Sequence, residues 1–412
     1  MIGSCCLPLL LNSLAPELLI TFLLSIMHRF RANRVPALDG LRGIAILLVL
    51  SHHQLIPYSL PGGFLSVDLF FVLSGFLITS LLLQEFDATE TVSLKNFYLR
   101  RALRLGPALV LYLFASLAVI YYLDPNQFKG ELRLVGLALA YSTNWRLAFG
   151  WDQSLDPTAI TWSLSIEEQF YLVWPMLLVL CLTAGVKRRQ LSIGLVVIIL
   201  AILLHRSYLW SGGAEHSRLY YGTDTRADAP LMGCLVALVP VWKLSATTRQ
   251  ILRLANIAAV ACLAYLVCKT HFTDAFIYRW GYTAIAAICG VIVLTSAVEE
   301  SALLSKLFGL RVFQWFGKVS YGLYLWHWLL LKTTTFYFWV GPTLDPWARF
   351  AAAVLISAVS FYLIEAPFNR LKTQFSFNSR SLNRTPRARE AHQFQPDKAP
   401  TPVLVQPTEQ NV

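Results

Sequence analysis

The segment ALDGLRGIAILLVLSHHQ, residues 37–54, is an apolar run with Arg42 near its start and His53 near its end. A helix that crosses a bilayer needs about 20 apolar residues, and an ionisable side chain within it is costly unless it faces protein or a polar cavity. Because Arg42 and His53 are eleven residues apart, they share one helix face and lie roughly 16 Å apart along its axis. The segment therefore predicts a membrane helix with one functional face.

The composition of the whole chain is that of a membrane protein with many helices. Its 412 residues are 56% hydrophobic and 14% charged, with a mean hydropathy of +0.55, whereas soluble domains carry about 25% charged residues. Apolar runs like the first recur along the chain, so we predict an all-α transmembrane helix bundle of about ten spans. The predicted spans are residues 37–54, 64–84, 105–123, 162–183, 190–206, 228–243, 254–270, 279–297, 312–331 and 346–366.

The basic residues indicate how the bundle is oriented. The formal net charge is +11, and Lys and Arg lie mainly in short segments at every second connection between the predicted spans. The positive-inside rule places such connections, and with them both ends of the membrane domain, in the cytoplasm. An excess of basic charge can also indicate nucleic-acid binding, but this placement favours the lipid bilayer as the partner and argues against nucleic acid. The sequence carries no signal of an oligomeric state.

Three segments depart from this pattern. Residues 131–149 are apolar enough to be embedded, but a full span there would place the basic loop after the fourth span outside, so we predict a re-entrant or buried helix. Residues 1–33 contain an apolar run that is interrupted by prolines and follows no basic region. Either an extra helix or a translation start at Met27 accounts for them. We predict a membrane domain over residues 34–372 and a disordered cytoplasmic tail over residues 373–412.

The cysteines predict neither a metal site nor a disulfide framework. The chain has seven cysteines, most of them within apolar runs and none at metal-ligand spacing. They are therefore interpreted as small buried hydrophobic residues. We predict no metal and no bound cofactor.

A histidine and an aspartate are predicted to lie on the outer side of the membrane. Histidine suits proton abstraction from a hydroxyl near neutral pH, so His53 is the candidate catalytic base, although the adjacent His52 leaves open which imidazole acts. Asp68 opens the second span from the same side and could orient that imidazole as the third member of a catalytic triad does. The alternatives are an interfacial histidine and an aspartate that caps a helix.

The start of the fourth span also carries candidate functional residues. Glu167 and Glu168 lie within its first third, where acids are more often functional than structural, so Glu167 is a second candidate acid or base. Trp162 either stacks on a sugar ring of the acceptor or belongs to the interfacial tryptophan belt.

Two further residues complete the predicted acceptor side. Asp228 is at the start of the sixth span and His327 lies near the outer end of the ninth. Taken alone, the aspartate has the ordinary alternative of a solvated loop charge, and the histidine that of an interfacial aromatic belt.

Three arginines cluster at the predicted cytoplasmic face. Arg100, Arg101 and Arg104 lie on one short stretch before the third span, and guanidinium groups so close together suit the phosphates of a nucleotide-bearing acyl donor such as coenzyme A. Arg42 lies at the same side. The alternative is ordinary positive-inside anchoring.

Together these segments resemble the membrane acyltransferase-3 family of bacterial O-acyltransferases, which modify surface polysaccharides. The resemblance covers roughly residues 34–370 and rests on an Arg, ten residues and a His in the first span. Further similar motifs follow in the same order, namely VDLFFVLSGFLIT (67–79), YLRRALRLGP (98–107), TWSLSIEEQFYLVWP (161–175), SYGLYLWHW (320–328) and FYLIEAPF (361–368). The resemblance implies acetyl-CoA or another acyl-CoA as co-substrate, His53 as the catalytic residue, the arginines on the donor side, and a bacterial inner membrane location. The chain is most similar to the stand-alone form, which has no extracytoplasmic hydrolase-like domain.

The predicted function is therefore a membrane O-acyltransferase, in the first instance an O-acetyltransferase. It would move an acyl group from cytoplasmic acyl-CoA to a hydroxyl of a glycan or glycolipid on the periplasmic side. The alternative is a transporter or flippase without covalent chemistry, which would also use buried charges and many spans.

Overall fold

The computed structural model describes residues 35–56, 59–151, 156–241, 244–299, 302–333 and 337–375. Within these ranges the chain is helical and has no β-strand, so the all-α prediction is confirmed. The N-terminal segment 1–33 and the predicted tail beyond residue 375 lie outside the described residues.

The helices have unequal lengths, and short ones follow long ones. In chain order they are α1 Pro36–His52, α2 Ser66–Thr89, α3 Leu94–Leu123, α4 Phe128–Leu139, α5 Thr143–Ala148, α6 Trp162–Thr183, α7 Arg188–Ser211, α8 His216–Tyr221, α9 Thr223–Arg226, α10 Asp228–Ala237, α11 Ala246–Lys269, α12 Tyr282–Val298, α13 Leu303–Phe308, α14 Arg311–Thr333, α15 Tyr337–Ser360 and α16 Ala366–Leu371. Short 3₁₀ segments precede α2 and α6, at Gly63–Leu65 and Pro157–Thr161, and π-helical turns at Ile277–Gly281 and Phe361–Glu365 join α12 and α16 to the chain before them.

Seven helical segments in the described residues are long and apolar enough to cross a membrane, and each corresponds to a predicted span. They are Gly63–Thr89, Leu94–Leu123, Pro157–Thr183, Arg188–Ser211, Ala246–Lys269, Ile277–Val298 and Asp345–Leu371. The prediction of a polytopic helix bundle is therefore confirmed.

The other three predicted spans differ from these seven in length or polarity. The 17 residues of α1 rise about 25 Å at 1.5 Å per residue, slightly less than a hydrocarbon core of about 30 Å. The 23 residues of α14 are long enough but include charged side chains such as Lys318. The predicted span 228–243 was too long, because α10 ends at Ala237, shortly before Pro240, and a proline there has no backbone N–H to donate to the preceding turn.

The third predicted span begins earlier than its hydropathy suggests. The Ser93 hydroxyl accepts a hydrogen bond from the Asn96 backbone N–H and caps α3 at Leu94, so the helix is 30 residues long. Serine is a preferred N-cap because it satisfies a backbone donor that the helix leaves unpaired. The basic residues 100–104 are consequently two turns inside a continuous helix and not on a separate surface stretch.

Residues 131–149 form no spanning helix. They divide between α4 and α5, with Tyr141 in the left-handed backbone conformation (φ 50°) between them. The Glu131 carboxylate is buried and accepts a hydrogen bond from the Ser116 hydroxyl of α3 at 2.5 Å. The prediction of a buried helix in place of a full span agrees with this short, packed pair.

Two helix pairs at the centre of the bundle approach each other closely. A Cβ atom on Gly43 of α1 would collide with the Phe313 carbonyl oxygen of α14, and one on Gly75 of α2 would collide with the Pro230 carbonyl oxygen of α10. Small residues permit such contact between helix backbones in membranes. These two contacts bring α14 beside α1 and α10 beside α2, and thereby set the position of every functional side chain on those helices.

Candidate active site

Two imidazole rings meet at the end of α1. His53 directly follows that helix and is half-buried, whereas His327 of α14 is fully buried. Nδ1 of His53 and Nε2 of His327 are 2.9 Å apart, and the rings are stacked with their centroids separated by 5.2 Å. The other nitrogen of His327, Nδ1, is 2.9 Å from the Leu323 carbonyl oxygen one turn earlier in α14. The two predicted outer histidines therefore form one hydrogen-bonded chain.

The surroundings of the pair distinguish His53 from His52. The Trp328 ring lies 5.0 Å from that of His53 and donates its indole N–H to the Asp156 carbonyl oxygen. His52 instead packs against Phe64, and its buried Nδ1 has no hydrogen-bond partner among the described residues. His53 is thus the imidazole that belongs to a polar network, which favours it as the acting histidine.

A second polar cluster joins α3 to α6. The Arg101 guanidinium forms ion pairs with Glu168 at 3.3 Å and Glu167 at 4.0 Å and stacks on the Tyr171 ring. The Ser74 hydroxyl of α2 donates to Glu167 at 2.7 Å. The predicted orientation of the fourth span places its start, and with it Glu167, toward the same end as His53, whereas the structure pairs the Glu167 carboxylate with Arg101 of the arginine cluster. Because α3 begins at residue 94, Arg101 is deep enough in the bundle to reach it.

Arg42 and Arg104 belong to the same cluster. Arg104 is within electrostatic range of both Arg42 and Arg101, and it has no hydrogen bond or ion pair in the part of the chain that the structure describes. Among the described residues, Arg42 forms an ion pair with Asp39 alone, at 3.9 Å. Guanidinium donors left without protein acceptors are available for an anionic ligand.

Arg100 does not join the other arginines. Its guanidinium lies 3.4 Å from Glu85 and donates to the Phe375 carbonyl oxygen at 2.6 Å. Adjacent residues on a helix point about 100° apart, as its 3.6-residue turn requires. Arg101 and Arg104, two of the three arginines predicted as one phosphate site, therefore lie together with Arg42. The third, Arg100, instead faces Glu85 and the Phe375 carbonyl oxygen.

Polar groups connect the two clusters. The hydroxyls of Ser163 in α6 and Tyr324 in α14 are 2.7 Å apart. The Tyr324 ring centroid lies 6.0 Å from that of His327, and its hydroxyl is within electrostatic range of Glu167. Ser163 and Glu167 are four residues apart in α6, and Tyr324 and His327 are three residues apart in α14. Residues at these spacings share a helix face, so each helix presents two polar groups to the same side. A line of polar side chains therefore runs from Arg101 to His53.

Asp68 does not orient His53, as the sequence had suggested. Its carboxylate accepts hydrogen bonds from Arg226 at 3.0 and 3.1 Å, and both side chains are almost fully buried. The Arg226 guanidinium also lies 3.6 Å from the centroid of the Tyr282 ring. Within the described residues His53 is oriented by His327 instead.

The other two predicted acceptor-side residues are also buried. Asp228 is 1% exposed, and its carboxylate accepts from Arg206 at 2.8 Å and from the Thr283 hydroxyl. Trp162 packs against three other aromatic rings, those of Phe71, Tyr220 and Tyr221. Asp228 and Trp162 are therefore packed within the protein.

Two buried ionisable residues are absent from the predicted site residues. Arg206 lies within the apolar α7 with its side chain fully buried. Glu365 is 4% exposed, within electrostatic range of Arg104, and its Oε1 has no hydrogen-bond partner among the described residues. An ionisable residue inside an apolar run is the signal that could have identified both.

Asp224 lies outside the spanning helices, between α8 and α10. Burial raises the pKa of its carboxyl, but hydrogen bonds from Arg218 and His205 outweigh that effect and hold the pKa below its ordinary value. The carboxylate therefore stays ionised and holds α9 against α7 and α8.

Comparison with known proteins identifies the family. A family model described as an acyltransferase domain matches residues 35–365. The chain therefore belongs to the membrane acyltransferase-3 family, and no solved structure matches it.

The chain is similar to curated O-acetyltransferases. It is 35% identical over 367 residues to the peptidoglycan O-acetyltransferase OatA of Listeria monocytogenes, covering 83% of this chain and 57% of that protein. It is 33% identical over 356 residues to a putative peptidoglycan O-acetyltransferase of Bacillus subtilis, covering 82% of this chain and 56% of the relative. The chain thus spans somewhat more than half the length of these relatives.

Proposed function

We propose that this chain is a membrane O-acyltransferase that transfers an acetyl group from acetyl-CoA to a hydroxyl of a cell-surface glycan or glycolipid. Membership of the family and the names of the relatives support the acyltransferase reaction. The donor, the acceptor and a location in the bacterial inner membrane, with both ends of the domain in the cytoplasm, are parts of the proposal that rest on resemblance and charge placement.

The observation that carries the proposal is the line of polar side chains between the arginine cluster and His53. Arg42, Arg101 and Arg104 gather at one end, and His53 with His327 occupies the other. Coenzyme A separates its phosphates from its thioester by a long flexible arm. Arginines that hold the phosphates would therefore allow the thioester to reach the imidazole end of the site.

His53 is the proposed general base. It would take the proton of the acceptor hydroxyl while that oxygen attacks the thioester carbonyl. As the C–O bond forms and the C–S bond breaks, coenzyme A leaves as a thiolate that receives the proton from His53. General-base catalysis of this kind contributes typically 10²–10⁴-fold to the rate.

The test is acetyl transfer by the purified full chain in lipid nanodiscs. His53→Ala should lower the rate of acetyl-CoA turnover at least about 10²-fold, whereas His52→Ala, the neighbouring imidazole outside the hydrogen-bonded chain, should retain it within about tenfold. An unchanged rate in His53→Ala would refute the assignment. A transporter without covalent chemistry would not consume acetyl-CoA at all.

A cellular measurement identifies the acceptor. Mass spectrometry of surface glycans from cells with and without the gene should differ by one acetyl unit per modified sugar. Identical spectra would exclude a glycan acceptor.

A further inference from the structure

The hydrogen bonds around His327 determine where the protons lie on both imidazoles. The Leu323 carbonyl oxygen can only accept a hydrogen bond, so the His327 Nδ1 atom that lies 2.9 Å from it carries the proton. No carboxylate bonds to His327 in the part of the chain that the structure describes, and an unpaired cation in a fully buried position is costly. Neutral imidazole carries one proton, so the second nitrogen of His327, Nε2, is a hydrogen-bond acceptor.

This acceptor in turn determines the tautomer of His53. The Nε2 lone pair of His327 is 2.9 Å from Nδ1 of His53, so the His53 proton lies on Nδ1 and is donated to His327. The Nε2 atom of His53 is left with a lone pair, and no described residue forms a hydrogen bond with it. His53 is half-buried, so this nitrogen remains within reach of a substrate.

We propose that His327 is a positioning residue that holds His53 in the tautomer whose free nitrogen is Nε2, the nitrogen that takes the acceptor proton. The inference rests on the proposed function and specifies which atom of His53 acts. In hydrolase triads a buried carboxylate does this work, holding the catalytic imidazole in one tautomer and stabilising its cation. In this chain a neutral imidazole, hydrogen-bonded to a helix carbonyl, holds the tautomer without placing a second charge in the membrane.

The proton balance follows from the hydrogen bonds. When Nε2 of His53 takes the hydroxyl proton, His53 becomes a cation with protons on both nitrogens, and its Nδ1–H continues to donate to His327. The Nε2 proton then passes to the departing thiolate, and His53 returns to its starting tautomer. His327 keeps its own proton on Nδ1 throughout. The other titratable groups within electrostatic range of His53 are His52 and Lys332.

Two substitutions at position 327 distinguish the effect of the hydrogen-bond acceptor from the effect of side-chain volume. The side-chain oxygen of glutamine reaches about as far from the backbone as Nε2 of histidine, so His327→Gln retains an acceptor for His53, and His327→Leu fills similar space without one. We expect His327→Leu to lower kcat about 10²-fold or more with the KM for acetyl-CoA within about threefold of wild type. His327→Gln should recover kcat to within about tenfold. Thermal midpoints of both variants control for misfolding.

Solid-state ¹⁵N spectroscopy of histidine-labelled protein reads the tautomer directly. The His53 signals, assigned by their loss in His53→Gln, should show a protonated Nδ1 and an unprotonated Nε2 in the wild-type chain, and a mixture of tautomers in His327→Leu. A wild-type His53 protonated at Nε2 would overturn the inference. Wild-type kcat in His327→Leu together with an inactive His53→Ala would also overturn the inference, but it would leave the proposed function intact. Full activity in both variants would refute His53 as the base, and a wild-type chain that consumes no acetyl-CoA would refute the proposed function itself.

Discussion

At the scale of the residue, the cost of a charge in the membrane explains where the ionisable side chains lie. Asp68 pairs with Arg226, and Asp228 pairs with Arg206, and all four side chains are at most 1% exposed. Removing one member of a buried pair leaves the other charge uncompensated. These aspartates therefore have a structural reason to be present that is independent of catalysis.

The Asp68–Arg226 pair gives a prediction about stability. Asp68→Asn should destabilise the protein by about 3 kcal/mol or more, because the Arg226 guanidinium loses its charged acceptor. The measurement is the midpoint of thermal unfolding in detergent or nanodiscs. The double variant Asp68→Asn/Arg226→Met should recover part of that midpoint. A stable but inactive Asp68→Asn would instead support the catalytic role that its sequence position first suggested.

At the scale of the element, close approach between helix backbones sets the geometry of the site. Arg42 lies in the N-terminal half of α1 and His53 directly follows its last residue. That helix meets α14, which carries His327, across Gly43. A change in the separation of these helices would lengthen the 2.9 Å contact between the imidazoles.

Gly43→Ala tests this dependence. The new methyl group would collide with the Phe313 carbonyl oxygen, so we expect a loss of about 1–3 kcal/mol in stability, typical of overpacking, together with lower transferase activity. Gly194→Ala is the matched control, since Gly194 lies in the helix α7 with no atom within 4 Å of its added Cβ. The control should be neutral or stabilising by up to about 1 kcal/mol. Equal stability of the two variants would show that α1 and α14 are not in close contact.

At the scale of the whole molecule, the positive-inside rule predicts which end of the bundle faces the cytoplasm. The basic residues 187–189 lie where the connection from α6 enters α7, whereas the connection between α7 and α8 lies at the other end of α7, near Glu215. A donor from the cytoplasm and an acceptor outside require that orientation.

Cysteine labelling tests the orientation in a variant whose native cysteines are replaced. A membrane-impermeant maleimide should label Glu215→Cys in intact cells and should label Ala184→Cys only after the membrane is permeabilised. Both positions are exposed at helix ends, so accessibility is matched. The reverse pattern would contradict the proposed direction of transfer.

The sequence by itself determined the all-helical membrane class, seven of the ten predicted spans and the family, because hydropathy, charge placement and short motifs are local properties. It also identified His53, His327, Arg101 and Glu167 as candidates. Only the tertiary structure decided which of them meet. His53 and His327 are 274 residues apart in sequence, and Asp68 and Arg226 are 158 apart. Residue spacing assigns a side chain to one face of its own helix, but the packing between helices decides which side chains of a neighbouring helix that face contacts. For that reason the sequence paired His53 with Asp68, whereas the structure pairs it with His327.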